Sequence, residues 1–321
     1  MGRFAEIPAH LRRTATILTC TSFFRMAILR LSRIGILLYT KCTPFFRMAI
    51  SYKVCLYLFF LLSIFDLTAV TVVYGDSRSQ PEIHKQILAQ IIPYKPQAVF
   101  HTGDMVSYGY RQKEFDELFT SLKPLTDFSK FYPVIGNHER NRELYFANFL
   151  QLNNQAYYVT VEDSIVWIAL DSTIKISPGS PQYKWLTATL EQNKTRPMII
   201  LSHHPIFSSG THGDELGLSF FLPALFKNYP ILAVFSGHDH IYERSLFEKQ
   251  WYIVTGGGGA PLYKANSRND YSKKIYLGHN FCVLDFKHDK LDVKVYNLEG
   301  KLIDEFVSIF QAQAKQAVKQ K

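Results

Sequence analysis

Cysteine is nearly missing from most of this 321-residue chain. Of four, Cys20, Cys42 and Cys55 fall in the first 66 residues and only Cys282 follows. A lone thiol forms no internal disulfide, so the rest of the chain must be held by core packing, which suits cytosol and cell envelope alike. Acid is nearly missing from the start of the chain. Residues 1–65 hold nine Lys/Arg against Glu6 alone, and the 27 basic residues that remain face 26 acidic ones. The net charge of +9 therefore belongs to a leader. Nucleic-acid binding calls for a basic, aromatic-studded groove, and a body so close to neutral ranks that reading lower. An apolar content of 47% with 20% charged residues excludes a disordered chain.

The leader contains a direct repeat: Cys-Thr-Ser-Phe-Phe-Arg-Met-Ala-Ile at 20–28 returns, with one change, at 42–50. Two copies are too few for a solenoid, which needs about three. A local duplication fits better, with Met48 a candidate true start. After Lys53 comes an uncharged apolar run of 12 residues, 54–65. That is short of the roughly 20 needed to cross a bilayer, but it matches the hydrophobic segment of a signal peptide. The expectation is export to the periplasm or tethering to a membrane, with contact through the leader. A buried first helix and a cytoplasmic location are the alternative.

From residue 67 the pattern is β then α, repeated. Apolar, β-branched runs fall at 69–74, 98–100, 131–135, 198–201 and 231–235, without polar alternation, as in strands covered on both faces. Amphipathic helical stretches lie between several of them, at 82–92, 113–122, 142–150 and 182–193. From Trp251 to Val307 the strands are shorter and alternate, which predicts a second sheet with an antiparallel portion. Residues 308–321 look helical and solvated. The chain thus divides into a basic, apolar leader (1–66), a catalytic-type domain (67–307) and a polar helical tail (308–321). The predicted fold is α/β: two packed mixed β-sheets flanked by helices, a four-layer α/β/β/α sandwich.

Each buried strand runs into a polar loop. The five loops are Gly75-Asp76-Ser77-Arg78, His101-Thr102-Gly103-Asp104, Gly136-Asn137-His138-Glu139, Ser202-His203-His204-Pro205 and Ser236-Gly237-His238-Asp239-His240. Sites in open α/β sheets form beyond the carboxyl ends of the strands, so these five would share one rim. Glycine precedes the key residue in four of them, permitting a tight turn. Such a crowd of carboxylates and imidazoles is costly to bury without partners. A pair of divalent cations removes that cost, and the Asp/His/Asn donor mix suits Zn, Mn or Fe in place of a thiolate-bound metal. Singly each piece has a plain alternative: a Gly-Asp turn, a surface Asn-His, a hydrogen-bonded His203-His204 pair. Five in order, each after a strand, point to a metal centre.

The ordered set Gly103-Asp104, Gly136-Asn137-His138-Glu139, Ser202-His203-His204-Pro205 and Gly237-His238-Asp239-His240 resembles the calcineurin-like metallophosphoesterases. The stretches 237–245 and 252–260 resemble their purple acid phosphatase branch. The resemblance spans about residues 70–263. It implies that Asp104 bridges two metal ions, that Asp76 and His240 complete one site, and that Asn137, His203 and His238 complete the other. His138 would face the leaving-group oxygen as catalytic acid, with Arg78, His204 and His212 on the substrate side; a plain loop histidine is the alternative for His212. Two positions depart from the pattern. Arg78 stands where the wider superfamily has a histidine, and Ser107, followed by Tyr108, stands where the purple branch has a tyrosine. One metal site is thus a ligand short unless Tyr108 or water fills it. The planar fork of Arg78 suits a phosphate clamp, with a salt bridge to a nearby acid as the alternative.

The expected function is metal-dependent phosphoester hydrolysis of the phosphatase type: two Fe, Zn or Mn ions in the divalent or trivalent state share a hydroxide that attacks phosphorus in line. The alternatives are a catalytically weak or inactive module that binds metal or phosphate, and a phosphodiesterase or nuclease on the same scaffold. The partner expected is a phosphoester substrate, not a nucleic acid.

Overall fold

The computed structural model describes residues 70–266 and 269–310. The leader, with its repeat and apolar run, and the tail beyond residue 310 lie outside the described residues. Among the described residues no helix is long and apolar enough to cross a membrane.

The first sheet has six strands. Three of them, β1 (Val70–Tyr74), β2 (Ala98–His101) and β3 (Lys130–Pro133), lie parallel. They are joined by α1 (Pro81–Ile91) and α2 (Gln112–Thr126). After β3 comes α3 (Arg142–Asn148), whose Asn141 cap accepts the Leu144 N–H. A hairpin of β4 (Tyr158–Glu162) and β5 (Ile165–Ala169) then opens the second sheet. It continues through α4 (Pro181–Gln192), β6 (Met198–Leu201), the short α5 (Leu216–Ser219) and α6 (Leu222–Phe226), and β7 (Ile231–Ser236). Next come β8 (Tyr242–Phe247), β9 (Gln250–Thr255) and β10 (Ser272–Tyr276). The seven strands run β10-β8-β9-β7-β6-β5-β4 across the sheet. A meander of β11 (Asn280–Lys287), β12 (Lys290–Asn297) and β13 (Leu302–Ile309) returns to the first sheet and pairs antiparallel with β1.

Period 2 sorts these strands between two apolar layers. Val73, Phe100, Trp167, Ile199 and Leu201 enter the layer between the sheets. Their neighbours Val72, Tyr74 and Val99 pack outward among α1 and α2, and Val166, Ile168, Met198 and Ile200 among α4 and α6. Both faces are buried, so the strands read as unbroken apolar runs. Phe100 stacks on Trp167 across the sheets, with centroids 3.9 Å apart. Helix, sheet, sheet and helix form the expected four layers.

Two expectations need correction. The strands after residue 251 do not form a sheet of their own: β9 and β10 belong to the second sheet, while β11 to β13 extend the first. Ser308 and Ile309 lie within β13, not in a helix, and the Ser308 hydroxyl donates to the Leu232 carbonyl.

One buried group makes the fold acid-sensitive. His84 on α1 lies 3.0 Å from the Tyr74 hydroxyl, and burial pushes its pKa down to about 3. In the unfolded chain a histidine titrates near 6.5. Below that pH the unfolded state binds a proton that the folded state refuses, so stability is full above about pH 7 and falls as pH drops. By about pH 5 this one group costs roughly 2 kcal/mol. His84→Asn should remove roughly 2 kcal/mol of the loss of stability between those two pH values in urea unfolding; an unchanged loss would assign it to other groups.

Candidate metal centre

All five loops meet beyond the carboxyl ends of β1, β2, β3, β6 and β7. The turns that bring them together are tight. Asp76, Asp104 and His238 have φ of 58°, 57° and 70°, a left-handed conformation that side-chain-bearing residues adopt at a cost repaid elsewhere. Gly103, at φ 99°, precedes Asp104 in the same turn. At Gly237 the need is space: a Cβ there would come within 2.2 Å of the Asp76 carboxylate.

The donor atoms fall into two groups around Asp104. In the first, His203 Nε2 lies 2.8 Å from Asn137 Oδ1, 3.2 Å from His238 Nδ1 and 3.4 Å from Asp104 Oδ1. The opposite ring nitrogen, Nδ1–H, donates to the Thr102 carbonyl at 3.0 Å. A carbonyl can only accept, so in the neutral ring Nε2 carries no proton. Burial, the largest cause, holds the His203 pKa well below its ordinary value and lowers that of His238 to about 2. Both rings are therefore neutral, and the bare Nε2 of His203 faces an amide oxygen, a carboxylate oxygen and a ring nitrogen of His238. Ligands about 2.0–2.2 Å from one tetrahedral ion stand some 3.3–3.6 Å apart, close to these spacings. The donors fit a cation.

In the second group His240 Nε2 lies 3.6 Å from Asp76 Oδ1. His240 Nδ1–H donates to the Pro261 carbonyl at 2.5 Å, which leaves Nε2 bare here too. Both Asp76 oxygens accept the His238 N–H, at 3.1 and 3.0 Å. Burial and then the Asp104 charge raise the Asp76 pKa well above the carboxylate range. Arg78 stands in this group: Nε donates to Asp104 Oδ2 at 3.3 Å, and Nη2 lies 3.5 Å from His240 Nε2.

Around these groups lie the residues expected on the substrate side. His138 donates Nδ1–H to the Ser107 carbonyl at 2.8 Å, and its Nε2 is 3.8 Å from Asp104 Oδ2. His204 packs 4.5 Å from the His238 ring, its Nδ1 held 3.0 Å from the Ser172 hydroxyl. The His212 ring lies 4.3 Å from that of His238. Tyr108 is half exposed and packs on Arg111 and Tyr110. Of the sequence-derived residues, then, Asp76, Arg78, Asp104, Asn137, His138, His203, His204, His212, His238 and His240 all gather at one rim.

Four further residues build the site without having been assigned a part in it from the sequence. Glu139 is buried and accepts N–H bonds from Asp104, Met105, Val106 and Gly136, pinning the second loop to the third. Burial and the Asp104 charge raise its pKa to about 8. Asp239 accepts the His212 and Gly213 N–H groups, and Glu243 the Ser209 N–H, so the two together hold the loop that carries His212. Tyr263 stacks on His240 with centroids 3.9 Å apart and rings 16° from parallel. Glu139, Asp239 and Glu243 stand inside or beside the motifs, where an acid next to a glycine turn is a usable signal. Tyr263 lies in a loop and had none.

Known proteins are similar to this chain. The family model described as calcineurin-like phosphoesterase matches residues 70–242. Purple acid phosphatase 3 from Arabidopsis thaliana is 23% identical over 224 residues, 59% of this chain and 61% of that one. The solved structure of purple acid phosphatase PPD1 from yellow lupin seeds superposes with a TM-score of 0.65 at 17% identity, covering 75% of this chain and 53% of that one. GAP50, the anchor in the inner membrane complex of Plasmodium, superposes at 0.61 with 17% identity, covering 76% and 89%. At such identities the structures show a shared fold. The chain spans about half the length of the curated relatives it matches. With the family model covering more than half of its residues, on the same loops that converge in the fold, the chain belongs to the calcineurin-like phosphoesterase family.

Proposed function

We propose that the chain is a metal-dependent phosphoester hydrolase of the phosphatase type, with Asp76, Asp104, Asn137, His203, His238 and His240 as its metal-binding side chains. One observation carries this reading: the proton-free Nε2 of His203 faces Asn137 Oδ1, His238 Nδ1 and Asp104 Oδ1 at 2.8, 3.2 and 3.4 Å. Buried acceptors in that arrangement repel unless a cation joins them. Carboxylate, imidazole and amide donors without thiolate suit Zn, Mn or Fe. A bound ion would supply Lewis acidity against the phosphoryl oxygens and acidify water at the site.

The chain's own groups do the rest. Arg78, His204 and His212 line the rim and orient the phosphoryl group, a contribution of placement. The Ser107 carbonyl fixes the His138 ring through Nδ1, so that Nε2 is the nitrogen free to hand a proton to a departing alkoxide. The buried Glu139 keeps Asp104 and Asn137 in register. The natural substrate is taken to be a phosphoester, and the basic, apolar leader to direct the domain to or across a membrane.

The test uses purified full-length chain with aryl and alkyl phosphomonoesters and a phosphodiester, before and after chelation. Turnover of the monoesters should vanish with chelation and return on adding Zn, Mn or Fe. Turnover that chelation leaves intact would end this reading.

A further inference from the structure

We infer that the guanidinium of Arg78 takes the place of one of two cations, so that the centre holds a single metal ion, at Asp104, Asn137, His203 and His238. The inference rests on the metal-dependent reading above and concerns how many ions that site takes; of the six side chains named there, Asp76 and His240 then bind no ion of their own.

The two donor groups differ in what their lone pairs meet. Around His203 Nε2 those of Asn137 Oδ1 and Asp104 Oδ1 face its own, at 2.8 and 3.4 Å, with His238 Nδ1 at 3.2 Å. Around His240 Nε2 they meet N–H donors: Arg78 Nη2 is 3.5 Å from that nitrogen, and Arg78 Nε is 3.3 Å from Asp104 Oδ2. An ion bound by Asp104 Oδ2 and His240 Nε2 would need to sit about 2.0–2.2 Å from both. A guanidinium already touches both atoms, and it cannot shed its charge to make room. Placing a second cation there means two positive groups in contact with the same two acceptors.

Arg78 is also held where it stands. Its side chain is 14% exposed. Nη1 donates to Ser79 Oγ at 3.2 Å, and Ser79 Oγ is 2.9 Å from Ser107 Oγ. Its charge also acts on Tyr263, whose ring lies flat against His240. Both departures noted in the sequence therefore serve one device. Arg78 removes one donor position and supplies the charge itself; Ser107 removes the other and steadies Ser79, which holds Arg78. The remaining N–H groups of the fork still offer donors to a phosphoryl oxygen.

The experiment is a count of metal per chain by elemental analysis, on full-length protein stripped by chelation and dialysed against Zn²⁺ or Mn²⁺. Wild type should retain roughly one ion per chain, and Arg78→His, which restores an imidazole donor and removes the fixed charge, roughly two. Arg78→Lys keeps a cation and should stay near the wild-type count. Wild type that retains two ions with similar affinity overturns the inference while leaving the metal-dependent reading intact. An Arg78→His protein that stays folded, as read by circular dichroism, and still holds one ion also overturns it. Wild type that holds no ion ends both.

Discussion

Asp104→Asn should lower kcat/KM on an aryl phosphate by about 10³-fold or more, close to 4 kcal/mol of transition-state stabilisation. The substitution is isosteric, so the effect comes from charge. Asp104 is the one residue common to both donor groups: Oδ1 faces His203 Nε2 at 3.4 Å, and Oδ2 accepts from Arg78 at 3.3 Å. A neutral amide weakens metal binding and at the same time releases the Arg78 anchor. The fold itself should not suffer. Asp76, Asp104 and Glu139 are all buried, and the Asp104 charge is among the causes that raise the pKa of both neighbours. Removing it relieves that repulsion. The metal-free variant should melt at or above the temperature of metal-free wild type, the usual direction when a strained functional site is relaxed. Activity within tenfold of wild type would mean that Asp104 does not bridge the two groups.

His138→Ala should behave differently. Metal content should be unchanged, since the His138 ring is tied to the Ser107 carbonyl and its Nε2 is 3.8 Å from the nearest Asp104 oxygen. Loss of a general acid costs about 10²–10⁴-fold where the leaving group needs a proton. An alkyl phosphate should show that full loss. A nitrophenyl phosphate, whose leaving group departs as a stable anion, should lose less than about tenfold. Equal losses on the two substrates would assign His138 to orientation of the phosphoryl group in place of proton transfer.

How much of this was legible in the sequence follows from what each signal depends on. The five loops were readable because a buried strand gives an apolar run and the glycine turn after it is local. The four layers followed from the same runs, since strands covered on both faces require helices outside them. The place of the last three strands was not readable. Alternation at residues 290–296 shows that a strand has two kinds of face, but not which sheet edge it joins, and here β11 pairs with β1 through Val73 and Cys282. The partner that orients His138 was equally hidden, because it is a backbone carbonyl and any residue at 107 supplies one. Tyr263 comes from a loop with no periodic pattern, and only the fold lays it on His240. For Arg78 the sequence offers a phosphate clamp or a salt bridge to a nearby acid; the structure holds the salt bridge, to Asp104.

A cation among His203, Asn137, His238 and Asp104 underlies every step above, and anomalous X-ray scattering from crystals of the metal-loaded protein locates it. A peak is expected about 2.0–2.2 Å from His203 Nε2, Asn137 Oδ1, His238 Nδ1 and an Asp104 oxygen. A peak located away from these four atoms, or none there in protein that hydrolyses a phosphoester, would contradict it.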